Sequence, residues 1–195
     1  MTEKPKDYYT SKEAAELLGV AVSTIQLWTN NGLLSAWTTA GGHRRIVRQS
    51  VEALRNQQQA VSAKQKSGDV LSVVVVEDNA QQRRLYEKQF LNWQTKTNVV
   101  AAKDGYAGLM QIGRILPDVI ITDLVMPRMD GFQMIRALNE QPELASSMII
   151  VVTGLDNDEI KEKGGLPDNI HVFTKPVAFE KLEELLRQKK NINAA

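Results

Sequence analysis

The chain has no cysteine and no apolar run long enough to cross a bilayer. The absence of cysteine excludes a disulfide framework. Apolar runs such as VVVV at residues 73–76 fall far short of the roughly 20 residues that a membrane-spanning helix needs. The opening stretch, MTEKPKDYYTSKE, is polar and charged where a secretory signal requires an apolar core. We therefore expect a cytoplasmic protein without a membrane span.

A polar stretch divides the chain into two parts. At 195 residues, of which 43% are hydrophobic, the chain is long enough for one large domain or two small ones. The stretch QQQAVSAKQKSGD, residues 57–69, has one bulky apolar side chain and cannot anchor a core. We predict a first domain over residues 1–58, a linker over residues 59–69 and a second domain over residues 70–195.

The joint between the two parts has a second interpretation as a helix. Val51, Leu54 and Val61 have heptad spacing, which would extend the preceding helix along a weak seam. Gln58 and Gln65 occupy the intervening seam positions, where a coiled coil needs apolar side chains. A solvated, partly helical linker fits this composition better.

The second part alternates strand-like and helical segments. Strand-like runs lie at 71–76, 97–102, 118–122, 147–152 and 170–174, and helical patterns lie at 80–92, 105–115, 131–141, 156–163 and 178–190. This alternation is typical of βαβ units, so we predict an α/β fold with a five-stranded parallel sheet that helices cover on both faces. Ligands of such folds bind outside the carboxyl ends of the strands.

Polar side chains end four of the predicted strands. Glu77 and Asp78 follow the first strand, Asp123 follows the third, and Thr153 and Lys175 follow the fourth and fifth. Clustered acids repel one another unless a cation lies among them, and oxygen ligands of this kind suit Mg²⁺. A carboxylate beside Mg²⁺ and an ammonium group can attack a phosphoryl group, because both cations neutralise the charge that develops on its oxygens. We therefore predict that Asp123 becomes an aspartyl phosphate.

The segments VVVVEDN, IITDLVMPRMDG, IIVVTG and FTKPV resemble the receiver domain of two-component response regulators, over about residues 70–190. The resemblance implies a flavodoxin-like fold that a histidine kinase phosphorylates on Asp123. It also implies a Mg²⁺ site at Glu77, Asp78, Asp123 and the backbone carbonyl of Val125, a hydrogen bond from Thr153 to the phosphoryl group, and an ion pair between that group and Lys175.

Two features depart from the receiver pattern. Receivers usually carry Tyr or Phe three residues before the strand-five Lys, whereas this chain has Val172 there and Phe173 one place later. Strand alternation turns Phe173 to the opposite face of the sheet, so it cannot replace the aromatic ring through which receivers usually relay their signal. Signal relay would then run through Thr153 or through dimerisation. Val125 and Leu155, two residues beyond the phosphoacceptor and Thr153, are unable to orient an attacking water. We therefore predict a long-lived phosphoryl group.

An enzyme with an aspartate nucleophile is a competing interpretation of the strand ends. Haloacid-dehalogenase-type phosphatases have the pattern DxDxT, in which the second Asp protonates the leaving group. Here Val125 occupies that position. A lone Asp after a strand also commonly caps a helix, but four receiver-like segments match in order. We expect a regulator rather than an enzyme.

Two short capped helices are predicted near the N-terminus. The pattern Thr10-x-x-Glu13 is a capping box that opens a helix, which Gly19 ends. A second box, Ser23-x-x-Gln26, opens another helix. Two short helices joined by a tight turn predict a helix-turn-helix.

A basic turn follows these helices. Residues 1–62 carry seven Lys/Arg against five Asp/Glu, so they hold the positive excess of the chain. In the segment TTAGGHRRIVR, the glycines allow close approach to a duplex and the arginines can fork onto phosphates. Residues 8–58 resemble the MerR-like winged helix family, which includes excisionases. The resemblance and the basic turn imply DNA contacts at Ser23, Thr24, Gln26, His43, Arg44, Arg45 and Arg48.

Together these features predict a DNA-binding response regulator with its output domain at the N-terminus, associated with the nucleoid when bound to DNA. The expected partners are double-stranded DNA, a histidine kinase or phosphotransfer protein, and a second copy in a homodimer. Phosphorylation of Asp123 would alter dimerisation or release the DNA-binding domain. Two alternatives are a docking platform that works without phosphorylation and an excisionase-like architectural protein that bends DNA.

Overall fold

The computed structural model describes residues 6–65 and 70–194 of the chain. The first of these segments forms a winged helix-turn-helix, as predicted. Its three strands pair antiparallel, with the third strand between the other two. Its elements are β1 (Tyr8–Thr10), α1 (Ser11–Leu18), α2 (Val22–Asn30), β2 (Ala36–Thr38), β3 (Arg44–Val47) and α3 (Arg48–Gln65).

The second segment forms the predicted α/β fold. Five parallel strands lie in the order β5-β4-β6-β7-β8, which is the flavodoxin-like arrangement. Among the described residues, every helix lacks the combination of length and apolarity needed to cross a membrane. The elements are β4 (Leu71–Val76), α4 (Ala80–Asn92), β5 (Thr97–Ala102), α5 (Gly105–Ile115), β6 (Val119–Thr122), α6 (Gly131–Asn139), β7 (Met148–Thr153), α7 (Asn157–Glu162), β8 (His171–Thr174) and α8 (Phe179–Ala194), with a short 3₁₀ helix at Pro142–Leu144.

The parallel sheet is covered by helices on both faces. All six residues of β4 and all four of β6 are buried, which is why their sequences are continuous apolar runs rather than alternating ones. Side chains of α5, α6 and α7 pack on one face, and side chains of α4 and α8 pack on the other. The strands therefore lie fixed between two apolar layers, and their carboxyl ends form a rigid rim.

One predicted helix start is confirmed and one is wrong. Thr10 and Glu13 form the reciprocal capping box that opens α1, and Gly19 ends that helix with φ +65°. The box Ser23-x-x-Gln26 does not open α2, because Ala21 has the extended backbone of an N-cap and Ser23 lies inside the helix. Ala21 offers no side-chain cap, so the first amides of α2 need other partners.

The helix α3 ends at Gln65 and therefore includes most of the predicted linker. Gln58, which we expected to weaken a seam, is 6% exposed. Its amide donates to the backbone oxygen of Gly113 in α5 at 2.6 Å. The remainder of the predicted linker, residues 66–69, lies outside the described residues.

Candidate functional site

Acidic groups meet at the rim where the parallel strands end. Glu77 and Asp78 follow β4, and Asp123 follows β6. One carboxylate oxygen from each residue lies within 4.8 Å of those of the other two. Glu77 and Asp123 are buried, with 2% and 8% exposure, whereas Asp78 is exposed. The rim thus holds two buried acids and one acid in contact with solvent.

The Lys175 ammonium, which follows β8, contacts both buried acids. Its Nζ donates to Asp123 Oδ2 at 2.7 Å and to Glu77 Oε2 at 2.8 Å. Burial by itself lowers the pKa of Lys175, but the hydrogen bonds and charges of Asp123 and Glu77 outweigh burial and raise the pKa above its ordinary value. The ammonium therefore stays charged and supplies the cation that two buried carboxylates require.

The pKa of the Glu77 carboxyl is raised. Burial is the largest cause, because it disfavours the ionised form, while the hydrogen bonds from Lys175 and from the Asn79 N–H act in the opposite direction. The Asn79 N–H donates to Glu77 Oε1 at 3.0 Å. A second positive charge at the rim would favour the ionised carboxylate.

The hydroxyl of Thr153 and the loop after Asp123 complete the rim. Thr153 is fully buried, and its carbonyl accepts from the Lys175 N–H at 2.8 Å. Its hydroxyl accepts from the Leu155 N–H at 3.3 Å. The Val125 N–H donates to Asp123 Oδ1 at 3.1 Å, while the Val125 side chain is 57% exposed. The structure thus brings all the receiver residues predicted from the strand ends to one place.

The donor set at the rim fits Mg²⁺. Mg²⁺ prefers oxygen ligands, keeps several waters and takes one or two carboxylates from the protein. Three carboxylates here lie beside one ammonium, so the rim carries excess negative charge. Exposed Asp78 leaves the rim open to water. Glu77, Asp78 and Asp123 are the residues that could hold the ion, and the Val125 carbonyl belongs to the same loop.

Two close backbone approaches fix the loop that carries Asp123. A Cβ on Gly131, the first residue of α6, would lie 2.2 Å from the Asp123 carbonyl oxygen. A Cβ on Gly105, the first residue of α5, would lie 2.7 Å from the carbonyl oxygen of Met129 in that loop. The sequence patterns did not single out these glycines. They show that α5 and α6 both begin in contact with the loop.

The predicted DNA contacts on α2 differ in their surroundings. Ser23 Oγ donates to Glu140 Oε2 at 3.3 Å, and Thr24 Oγ1 accepts a hydrogen bond from Gln141 Nε2. Gln26 is exposed. In this arrangement, two of the three predicted reading residues on α2 therefore contact the second domain.

The basic residues of the segment TTAGGHRRIVR, residues 38–48, also make contacts within the first domain. The Arg44 guanidinium donates to the hydroxyl of Thr29 at 2.6 Å, and the Arg45 guanidinium lies 5.3 Å from the ring centre of Tyr8. His43 is exposed. Arg48 has the most local partners of the four: the Lys6 carbonyl at 2.6 Å, the Tyr9 hydroxyl at 2.9 Å and Glu52 Oε1 at 3.1 Å.

Sequence patterns missed the polar residues that join the two domains. Gln58, Glu140 and Gln141 contact elements far away along the chain, and each looks locally like an ordinary surface residue. A weak signal was available in Gln58, because it occupies a seam position of a helix whose earlier seam residues are apolar.

Comparisons with known families agree with this architecture. Residues 73–187 match the response regulator receiver domain, and residues 8–59 match a helix-turn-helix domain. The chain belongs to the response regulator receiver family and carries a helix-turn-helix DNA-binding domain ahead of the receiver. These two domains indicate a regulator rather than an enzyme, although some relatives of the receiver are methylesterases.

Individual relatives match the receiver part. Protein PilG of Pseudomonas aeruginosa is 30% identical over 118 residues, which are 60% of this chain and 86% of PilG. The response regulator PleD of Caulobacter vibrioides is 31% identical over 121 residues, but the match covers only 26% of PleD. A solved receiver domain of a DNA-binding response regulator (merR) from Colwellia psychrerythraea is 25% identical, with a TM-score of 0.52, over 60% of this chain and 96% of that one.

Proposed function

We propose that this protein is a two-component transcriptional regulator whose receiver accepts a phosphoryl group on Asp123 from a histidine kinase or phosphotransfer protein. The observation that carries the proposal is the contact of the Lys175 ammonium with Asp123 and Glu77, beside exposed Asp78. Such a rim has a nucleophilic carboxylate, a fixed cation and further oxygen ligands within reach of solvent. That combination supports phosphoryl transfer to an aspartate.

Each rim residue has a distinct role in this chemistry. Asp123 attacks the phosphorus through a carboxylate oxygen, and the leaving group departs from the opposite side. The Lys175 ammonium neutralises charge on the transferred oxygens, and the Thr153 hydroxyl, whose oxygen accepts from the Leu155 N–H, donates its hydrogen to one of them. Mg²⁺, held by Glu77, Asp78, Asp123 and the Val125 carbonyl, would supply the second positive charge on the phosphoryl oxygens.

The phosphoryl group is proposed to persist once formed. The side chain of Val125 is 57% exposed above the loop, and Leu155 packs against the receiver core. Neither side chain can hold a water molecule for attack on the phosphorus. We expect the acyl phosphate to decay over minutes or longer in Mg²⁺ buffer. Decay within seconds, followed by the release of inorganic phosphate, would refute this expectation.

The output of the regulator is proposed to be DNA binding by the first domain. We propose residues 1–58 as the reader and residues 59–69 as the joint to the receiver at residues 70–195. The reader carries only a modest positive excess, so two readers in a homodimer would gain affinity through effective concentration rather than through new contacts. The proposed DNA contacts are Ser23, Thr24, Gln26, His43, Arg44, Arg45 and Arg48.

A second candidate function is a DNA-bound docking platform that works without phosphorylation. The observation that favours it is Val172, which is 43% exposed where receivers usually carry an aromatic ring. Phe173 packs instead against the core beneath α4 and α8. Under this alternative, beryllium fluoride, which mimics the phosphoryl group, would leave both DNA affinity and partner binding unchanged.

One experiment tests the proposed function directly. Intact mass and DNA affinity are measured with Mg²⁺ and acetyl phosphate for the wild-type protein and for Asp123→Asn. We expect the wild type to gain the mass of one phosphoryl group and to change its DNA affinity, and the variant to do neither. Asp130→Asn is the matched control, because Asp130 caps α6 and asparagine is an equally good cap. Phosphorylation of Asp123→Asn to the wild-type level would overturn the assignment.

A further inference from the structure

The DNA-reading helix α2 lies against the receiver helices α5 and α6. Leu27 of α2 packs on the receiver core, and the ring of Trp28 lies so close to Gly113 that a Cβ there would be 2.1 Å from the ring. Trp28 is 2% exposed. The side of α2 that follows Thr24, Leu27 and Trp28 is therefore covered by the second domain.

The N-terminal turn of α2 receives its polar partners from the end of α6. The Ala21 N–H donates to Gln141 Oε1 at 3.2 Å, and the amide nitrogen of Gln141 donates to the Thr24 hydroxyl. Glu140 accepts from Ser23. The first N–H groups of a helix have no partners within the helix and carry partial positive charge, so phosphate groups bind there. Gln141 and the Glu140 carboxylate occupy positions that a DNA phosphate would otherwise approach.

The same receiver helices start at the phosphoacceptor loop. Gly131 of α6 touches the Asp123 carbonyl, and Gly105 of α5 touches Met129, both closely enough that a methyl group would not fit. The Arg128 guanidinium in the loop also pairs with Asp104, whose carboxylate caps α5 by accepting from the Ala107 N–H at 2.9 Å. With nine residues, α6 is about 14 Å long, so a shift of the loop reaches α2 through one rigid helix.

The contact between the domains also encloses two polar atoms that no other protein group pairs. Among the described residues, neither Trp28 Nε1 nor Glu143 Oε2, both buried, has a hydrogen-bond partner. Both residues line a cavity of about 20 Å³ at the contact. A cavity of this size has room for about one water molecule, which could bond to both atoms.

We propose that the end of α6 is an internal competitor of DNA: Glu140 and Gln141 hold the reading end of α2 until phosphorylation of Asp123 moves α5 and α6. This inference rests on the proposed function and names its regulation. It places the signal path on α5 and α6, so it needs no aromatic side chain at Val172. The path connects the phosphoacceptor loop to the DNA-reading helix within one chain.

The first test removes the competitor without phosphorylation. In the Asp123→Asn background, the double variant Glu140→Ala/Gln141→Ala is expected to bind a random-sequence DNA duplex about tenfold more tightly than Asp123→Asn alone. The matched control is Gln133→Ala/Glu162→Ala, which changes the same residue types at exposed receiver positions and should leave the affinity unchanged. Equal affinity of the double variant and its parent would overturn the inference while leaving the proposed function intact.

The second test locks the contact. Because the chain has no cysteine, Ala21→Cys/Gln141→Cys, which spares the proposed DNA contacts, can be joined selectively by a short reducible crosslinker. We expect the crosslinked protein to lose DNA binding and to recover it on reduction, so that the reduced protein is its own control. Unimpaired DNA binding by the crosslinked form would contradict the inference.

The third test does not require DNA. Hydrogen exchange of the amides at residues 21–28 is followed before and after phosphorylation, with the phosphoryl group verified by mass. We expect faster exchange after phosphorylation, because the Ala21 N–H loses Gln141. Unchanged exchange in fully phosphorylated protein would reject the inference but not the phosphorylation itself, whereas failure to phosphorylate at all would reject the proposed function.

Discussion

The acidic rim and the contact between α2 and the receiver differ in how completely protein groups pair their buried polar atoms. At the rim, both buried carboxylates bond to Lys175 at 2.7 and 2.8 Å. At the contact, Trp28 Nε1 and Glu143 Oε2 have no hydrogen-bond partner within the described part of the chain. Satisfied networks are rigid and costly to disrupt, whereas an unsatisfied interface is easily separated. On this comparison we expect the rim to resist disruption more strongly than the contact does.

Removal of the rim cation should have the largest effect on stability. Lys175→Met leaves Glu77 and Asp123 buried without their ammonium, so we expect the free energy of unfolding to fall by about 3 kcal/mol without Mg²⁺. Added Mg²⁺ should restore part of the loss. Urea denaturation measures both effects. Lys161→Met is the control, because that ion pair is exposed and contributes less than about 1 kcal/mol. A loss at Lys175 as small as the control would show that the rim is not a tightly held network.

The second-largest loss of stability is expected where α6 begins against the loop that carries Asp123. Gly131→Ala places a methyl group against the Asp123 carbonyl, and overpacking of this kind costs about 1–3 kcal/mol. Gly154→Ala is the matched control, because no described atom lies within 4 Å of the point where its methyl group would lie, and its φ is not in the left-handed region. Urea midpoints for the two variants measure the difference. Equal midpoints would mean that the loop adjusts freely.

Removal of a buried polar group at the contact should raise the free energy of unfolding, whereas removal of the Lys175 ammonium at the rim should lower it. Glu143→Met removes a buried oxygen that lacks a partner, so we expect the closed arrangement to gain about 1 kcal/mol. Its DNA affinity without phosphorylation should fall. Glu162→Met, at an exposed position of α7, serves as the control and should change neither quantity. Loss of stability in Glu143→Met would show that Glu143 is already satisfied, and the contrast with the rim would disappear.

The smallest predicted effect is a pH dependence of the rim. The raised pKa of Glu77 means that the folded protein holds this proton more tightly than the unfolded chain does. The associated stability is fully present below the ordinary glutamate value of 4.5 and is lost as pH rises through the folded-state pKa. Urea unfolding is measured without Mg²⁺ at a series of pH values from 4.5 upward. The free energy of unfolding of the wild type should fall as pH rises, and Glu77→Gln should remove this fall.

The two regions also differ in how well the sequence predicts them. Rim residues follow directly after apolar strands, so the parallel sheet must bring Glu77, Asp123 and Lys175 together. Local patterns contain this information, because each strand and each rim residue are neighbours along the chain. The same patterns predicted the helices α4 and α5 with the observed bounds.

The contact could not be predicted in the same way. Gln141 and Ala21 are 120 residues apart, and their bond depends on how the two domains pack. The predicted capping box at Ser23 is wrong because the local pattern considers only side chains of α2 itself. In the structure, the Ala21 N–H at the start of α2 donates to Gln141 of the receiver. Tertiary packing decided the start of that helix.

Gly113 of α5 contacts the first domain in two ways. The ring of Trp28 lies over its α-carbon, and Gln58 of α3 bonds to its carbonyl. Glycine in the middle of a helix is less favourable than alanine by about 1 kcal/mol, so α5 is weakened where the reader sits. One hydrogen atom in place of a methyl group therefore leaves the room in which the Trp28 ring packs against α5, and the smallest possible change in a side chain would fill that room.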